Sequence, residues 1–85
     1  MKHTVVITRS PQKALDRLEG DIYARITRKL EELEDNPRPM GVEKLSGRED
    51  LYRVRVGNWR IVYAIQDQKL IVLVVKVAHR REVYR

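Results

Sequence analysis

The tetrapeptide Val56-Gly57-Asn58-Trp59 constrains the fold of this chain more than any other feature. It joins two runs of strand-like residues, Leu51 to Val56 and Trp59 to Ile65. Glycine in the first place of a two-residue loop suits a type II′ turn, whose twist matches that of the strands it connects. A hairpin closed there fixes its own register. Val56 then faces Trp59, Arg55 faces Arg60, Val54 faces Ile61, Arg53 faces Val62 and Tyr52 faces Tyr63. Tyr52, Val54, Val56, Trp59, Ile61 and Tyr63 form one apolar surface, where the three aromatic residues read as core rather than as platforms for bases. Arg53, Arg55 and Arg60 share the other surface. Directly opposed arginines repel by a few tenths of a kcal/mol to about 1 kcal/mol, a cost that selection for stability alone would avoid. That surface is either a solvated face that tolerates the repulsion or an anion site, because guanidinium groups present planar forks of donors matched to phosphate.

The rest of the chain supplies partners for the hairpin. Thr4 to Thr8 is a β-branched run and predicts a first strand. Ser10-Pro11 predicts a helix start, with Ser10 as N-cap and Pro11 at the first helical position, followed by Leu15 and Leu18 at helical spacing. Gly20-Asp21 interrupts that helix, and Asp21 is placed to cap a second one. Its apolar residues Ile22, Ile26, Leu30 and Leu33 recur every three or four positions, opposite a solvated face of Arg25, Arg28, Lys29 and Glu32. Asn36-Pro37-Arg38-Pro39 ends it. Met40 to Asp50 reads as a polar connection, and Leu70 to Val77 as a last strand after a turn at Asp67-Gln68. The predicted class is α+β, in the order β-α-α-β-β-β: an antiparallel sheet meander with the helical hairpin packed on one face.

Length and composition narrow the function classes. A chain of 85 residues encloses one modest core, so residues 1–85 read as a single domain. Without cysteine there is no disulfide framework, no Cys-based zinc site and no thiol nucleophile. The longest apolar stretch, Leu70 to Val75, is too short to span a bilayer and no secretory leader is recognisable, so a cytoplasmic protein without membrane contact is expected. Eighteen Lys and Arg against twelve acidic residues give a formal charge of +6. With a pI near 10, that excess points to an anionic partner, nucleic acid first. His3 and His79 are the only histidines and no acidic residue stands at metal-ligand spacing from either, which argues against a metal hydrolase. Four scattered glycines make no phosphate loop. The ending His79-Arg80-Arg81-Glu82-Val83-Tyr84-Arg85 adds cations, an imidazole and a phenol beyond the last strand. Arginine cannot act as a base, whereas histidine is the side chain suited to proton transfer near neutral pH, which makes His79 the natural general acid or base; Tyr84 is either a base or a ring that stacks on a nucleotide.

Lys44-Leu45-Ser46-Gly47, Leu51-Tyr52-Arg53-Val54-Arg55-Val56-Gly57, Trp59-Arg60-Ile61-Val62-Tyr63 and His79-Arg80-Arg81-Glu82-Val83-Tyr84 together resemble the RelE/ParE toxin superfamily over nearly the whole chain. The resemblance implies the toxin of a type II toxin-antitoxin system with a RelB-like antitoxin as partner. Its RelE branch implies a ribosome-dependent messenger RNA interferase that cuts in the A site by attack of a ribose 2′-hydroxyl, with no cofactor and no metal. Under that resemblance Arg60, Arg80, His79 and Tyr84 are the catalytic candidates, and Arg53, Arg55 and Arg81 hold the message. Tyr84 favours RelE over ParE. Some RelE-type enzymes carry lysine where Arg53 and Arg55 stand, so proton transfer here has to come from other residues. With one residue after Tyr84, the C-terminal helix of some members is not expected. The alternatives are a ParE-like DNA gyrase inhibitor and a non-catalytic RNA-binding domain on the same scaffold.

Overall fold

A computed structural model of the chain describes residues 2–45, 47 and 50–83, without the side chains of Glu82 and Val83. Its elements run β1 (Thr4–Ile7), α1 (Arg9–Asp16), α2 (Gly20–Asp35), β2 (Glu43–Lys44), β3 (Leu51–Val56), β4 (Trp59–Gln66), β5 (Ile71–His79) and α3 (Arg80–Val83), with a 3₁₀ turn at Asp67–Lys69. The strands form one sheet in the order β1-β5-β4-β3-β2. β3, β4 and β5 make the expected antiparallel meander, and all five predicted pairs of the hairpin are present, from Val56 with Trp59 to Tyr52 with Tyr63. Gly57 carries φ +59, as the first turn position requires.

β1 lies parallel to β5, so the sheet is mixed rather than wholly antiparallel. The two helices between them provide the crossover that a parallel neighbour needs. β2 is a two-residue edge strand inside the stretch expected to be a polar connection, and it pairs Glu43 with Arg53 and Lys44 with Tyr52. It is too short to show any periodicity.

The helices pack on the face that holds Tyr52, Val54, Val56, Ile61 and Tyr63, where Leu15, Ile26, Leu30 and Leu33 complete a core with Ile65, Val72, Val74 and Val77. Trp59 is only partly buried at its margin. Between Val62 and Tyr63 the register with β5 slips, pairing Val62 with Lys76 but Tyr63 with Val74. Val75 is therefore the extra residue of a bulge. The bulge restores the inward aim of Val77 after Val72 and Val74 and carries the same alternation on to His79.

Both helix starts differ from expectation. α1 begins at Arg9 with Thr8 as N-cap, and Pro11 sits within the first turn, where no backbone N–H is required; the first helical bond is from Gln12 N–H to the Thr8 carbonyl at 3.1 Å. The Thr8 hydroxyl makes no cap and donates to the Val74 carbonyl at 2.9 Å; Pro11, at the third helical position, has no N–H to offer it. α2 has Glu19 as N-cap, and Asp21 lies within its first turn, 3.9 Å from Arg25. β5 begins at Ile71 because Leu70 adopts the left-handed conformation, φ 55, that closes the 3₁₀ turn. Among the described residues no helix is long and apolar enough to cross a membrane.

Candidate active site

The hairpin register sets Arg55 directly against Arg60, with Ala78 of β5 on the other side of Arg60. Two of the three arginines on this face are more engaged than a solvated face would make them. Arg60 is 5 % exposed, and its Nη1 donates to the Trp59 carbonyl at 3.1 Å and the Gly57 carbonyl at 3.4 Å. The guanidinium is folded back over the hairpin turn. Arg53 Nη2 donates to Glu43 Oε2 at 2.8 Å, an alignment that the β2 to β3 register imposes by pairing the two residues. Arg55 is exposed and makes no ion pair among the described residues.

Glu43 is the residue of this face that sequence reasoning missed. Its carboxyl is held below the usual carboxylate range by the hydrogen bond from Arg53, then by that charge and by those of Arg55 and Arg60. A carboxylate thus stands on the arginine face where a phosphate oxygen would be recognised. The available signal was the pairing of Glu43 with Arg53, which depends on finding a strand of only two residues.

The end of β5 meets the hairpin turn. Arg80 N–H donates to the Asn58 carbonyl at 2.7 Å, tying the start of α3 to the turn that holds Arg60. Arg80 and Arg81 are exposed there, on a single helical turn that was not expected. His79 pairs with Trp59 across the strands, and their rings meet edge to face at 5.7 Å and 84°. Because Trp59 is on the helix-facing side and Arg60 on the other, the register sets His79 at the rim of the sheet and not on the arginine face. The Arg81 N–H donates to His79 Nδ1 at 3.4 Å. In a neutral ring that contact assigns the proton to Nε2, so His79 presents a donor. The structure brings Arg53, Arg55 and Arg60 together with Glu43, sets His79, Arg80 and Arg81 against the same turn, and leaves Tyr84 outside the described residues. Among the described residues no three His, Asp or Glu side chains come together as a metal site.

Residues 5–84 match the family described as ParE toxin of type II toxin-antitoxin system, parDE. The chain is 28 % identical to a putative toxin RelE1 of Methanocaldococcus jannaschii over its whole length and 98 % of that protein. It is 32 % identical to the mRNA interferase toxin RelE of Escherichia coli, over 80 % of this chain and 75 % of that one. The toxin chain in the crystal structure of an archaeal RelE-RelB complex from Pyrococcus horikoshii superposes with a TM-score of 0.83 at 32 % identity, covering 94 % of this chain and 97 % of that one. A face of arginines on a five-stranded sheet, backed by two helices and matched along its length by these relatives, places the chain in the RelE/ParE toxin superfamily.

Proposed function

We propose that this protein is the toxin of a RelBE-type pair and cleaves messenger RNA in the ribosomal A site, in the cytoplasm, without a metal. The observation that carries this reading is the direct opposition of Arg55 and Arg60 beside Arg53 on one face of the sheet, a repulsive arrangement that phosphate at the exposed Arg55 relieves. The names of relatives similar over most of the chain, mRNA interferase and RelE, support the same chemistry. The complex of a similar RelE with RelB supports an antitoxin as partner.

In the reaction a ribose 2′-oxygen bonds to the adjacent phosphorus, the bond to the 5′-oxygen breaks, and a 2′,3′-cyclic phosphate remains. Negative charge builds on the equatorial phosphate oxygens, where fixed guanidinium groups stabilise it without having to reorganise. Arg60 is the preorganised member, since two carbonyls already hold its Nη1. Arg53, Arg55 and Arg81 hold the strand, and Arg80 stands at the turn beside Arg60. The arginines carry no proton in the exchange. His79 in its imidazolium form delivers a proton to the departing 5′-oxygen, reaching in from the rim, and Tyr84 as the phenolate accepts the 2′-proton, or stacks on the neighbouring base while water takes that proton.

Induced expression followed by mapping of message ends on ribosomes tests this reading. Cuts within A-site codons that leave cyclic-phosphate ends are expected. Intact messages together with gyrase trapped on DNA would instead establish a ParE-like activity, ParE being the toxin that the matched family's description names, and neither product would leave a binding domain.

A further inference from the structure

We propose that the groove between α1 and β5, lined by Lys13, Arg17 and Lys76, is a second RNA-phosphate site that extends the arginine face. β1 ends at Ile7, opposite Val74, so among the described residues no strand covers the outer edge of β5 from Lys76 to Ala78. α1 passes above that uncovered edge and presents Lys13 and Arg17, one helical turn apart, with Ser10 at the groove's end. The volume is about 320 Å³. Three cations line it with no carboxylate among them, and none of the three is ion-paired among the described residues.

The hollow at the other flank makes the contrast. It is lined by Arg25, Arg28, Lys29 and Arg55 but also by Glu32, which binds Lys29 at 2.8 Å, while Asp21 lies 3.9 Å from Arg25. Much of its charge is already answered from within the chain. Among the described residues the groove beside β5 has no such internal answer.

Its position identifies the anion. Ala78 lines the groove and is also the cross-strand neighbour of Arg60, so the groove adjoins the arginine face at the residue next to the proposed reacting phosphate. One polyanion running along both meets a continuous basic strip. A nucleic acid strand carries a charge at every nucleotide and suits that continuity, and each phosphate neutralised there releases bound counterions. The inference rests on RNA as the ligand of the arginine face, and it is independent of whether that RNA is cut.

The test measures equilibrium binding of the antitoxin-free full chain to a fully 2′-O-methylated, hence uncleavable, single-stranded RNA at several salt concentrations. Lys13→Gln/Lys76→Gln removes one exposed charge from each wall of the groove. Lys2→Gln/Lys69→Gln removes two exposed charges at the opposite end of the sheet. Two lost phosphate contacts should make the slope of log affinity against log salt shallower by about 1.4, which between 50 and 200 mM salt is about a 7-fold smaller loss of affinity. The groove pair should show this change and the distal pair should not. Equal changes in both would reduce the effect to net charge, and no change in the groove pair would remove the site. A matching loss of affinity for poly-glutamate of the same charge would assign the groove to an acidic protein segment and overturn the RNA assignment. Binding that depends on the groove in a protein that cuts no message would refute the cleavage reading alone.

Discussion

At the end of the sheet closed by the 3₁₀ turn, Asp67 accepts hydrogen bonds from Arg38 at 2.9 and 3.3 Å and lies 3.3 Å from His3 Nε2, while Arg38 Nε donates to the Tyr52 hydroxyl at 3.3 Å. Below them the buried Tyr63 hydroxyl donates to the Pro37 carbonyl at 2.7 Å. At the end closed by Gly57-Asn58 the pattern is reversed: Arg60 is held by carbonyl oxygens alone, and Arg55 has no carboxylate of its own among the described residues. Both ends use arginine and tyrosine or histidine on the same sheet. One cancels its charges and clasps the amino-terminal strand, the loop after α2 and the β4 to β5 turn together. The other leaves the exposed Arg55 without a carboxylate among the described residues. Stability and anion recognition are thus separated along the strands, and substitutions at the two ends should separate in the same way.

The largest effect is expected at Arg60. Arg60→Ala should lower cleavage on ribosomes by about 10²- to 10³-fold, the loss usual for one preorganised donor at a developing charge. Burial adds a second consequence that a solvated arginine would not have: loss of the bonds to Gly57 and Trp59 should cost about 1 kcal/mol in urea unfolding. Arg60→Lys keeps the charge but not the fork, and should retain most of the stability while losing most of the rate. Wild-type cleavage by Arg60→Ala at equal protein level would take this end of the sheet out of the chemistry.

Tyr63→Phe is the counterpart at the other end. Burial pushes the Tyr63 phenol above its usual range, so the group is a protonated donor at every physiological pH. Its removal leaves the buried Pro37 carbonyl without that donor and should cost about 1–3 kcal/mol in denaturant unfolding. The single-turnover cleavage rate should not change. A fall in rate at unchanged stability would show that the two ends are coupled.

Much of this arrangement is legible in the sequence, and what is not has identifiable physical reasons. The Gly57-Asn58 loop dictates the hairpin register by itself, and that register delivers both the apolar face and the opposed arginines. The parallel pairing of β1 is not written in Thr4–Ile7, because a short β-branched run reads the same in either direction. The bulge at Val75 shows no local signal, yet it decides that His79 meets Trp59 and not the arginine face. Arg60 looks like a surface residue until the backbone path of the turn supplies its carbonyl partners. Glu43 is hidden because pairing, not periodicity, makes β2 a strand.

Asp67 offers a gentler test of the clasp through pH. Arg38 and then His3, by hydrogen bonding, hold its carboxyl below the usual carboxylate range. A depressed folded-state value means that the carboxylate's contribution is complete above the unfolded value of about 3.9 and is lost as pH falls through the lower folded value. Wild-type melting temperature should therefore drop on acidification below about pH 4, and Asp67→Asn should flatten that limb. Glu43, depressed in the same sense, keeps part of the slope. An acid limb identical in Asp67→Asn would mean that the clasp contributes nothing through this group.

The smallest expected effect lies at Glu43 and bears most directly on how the open end is kept ready. A carboxylate held below its usual range is a poor base near neutral pH, since what stabilises its charged form weakens its hold on a proton. The same contact makes it a good stand-in for the ligand, because it occupies the Arg53 fork at 2.8 Å with the oxygen geometry a phosphate would present. On the proposed function, RNA arriving at this face displaces it. Glu43→Gln removes the competing charge and leaves a neutral amide of the same shape. Binding to uncleavable single-stranded RNA should tighten, and the salt slope should steepen by about 0.7, equivalent to about a 2.6-fold larger loss of affinity between 50 and 200 mM salt. The cleavage rate at saturating ribosomes should hold or rise. Unchanged binding with a large loss of rate would reverse the assignment, making Glu43 the acceptor of the 2′-proton and leaving Tyr84 to stack.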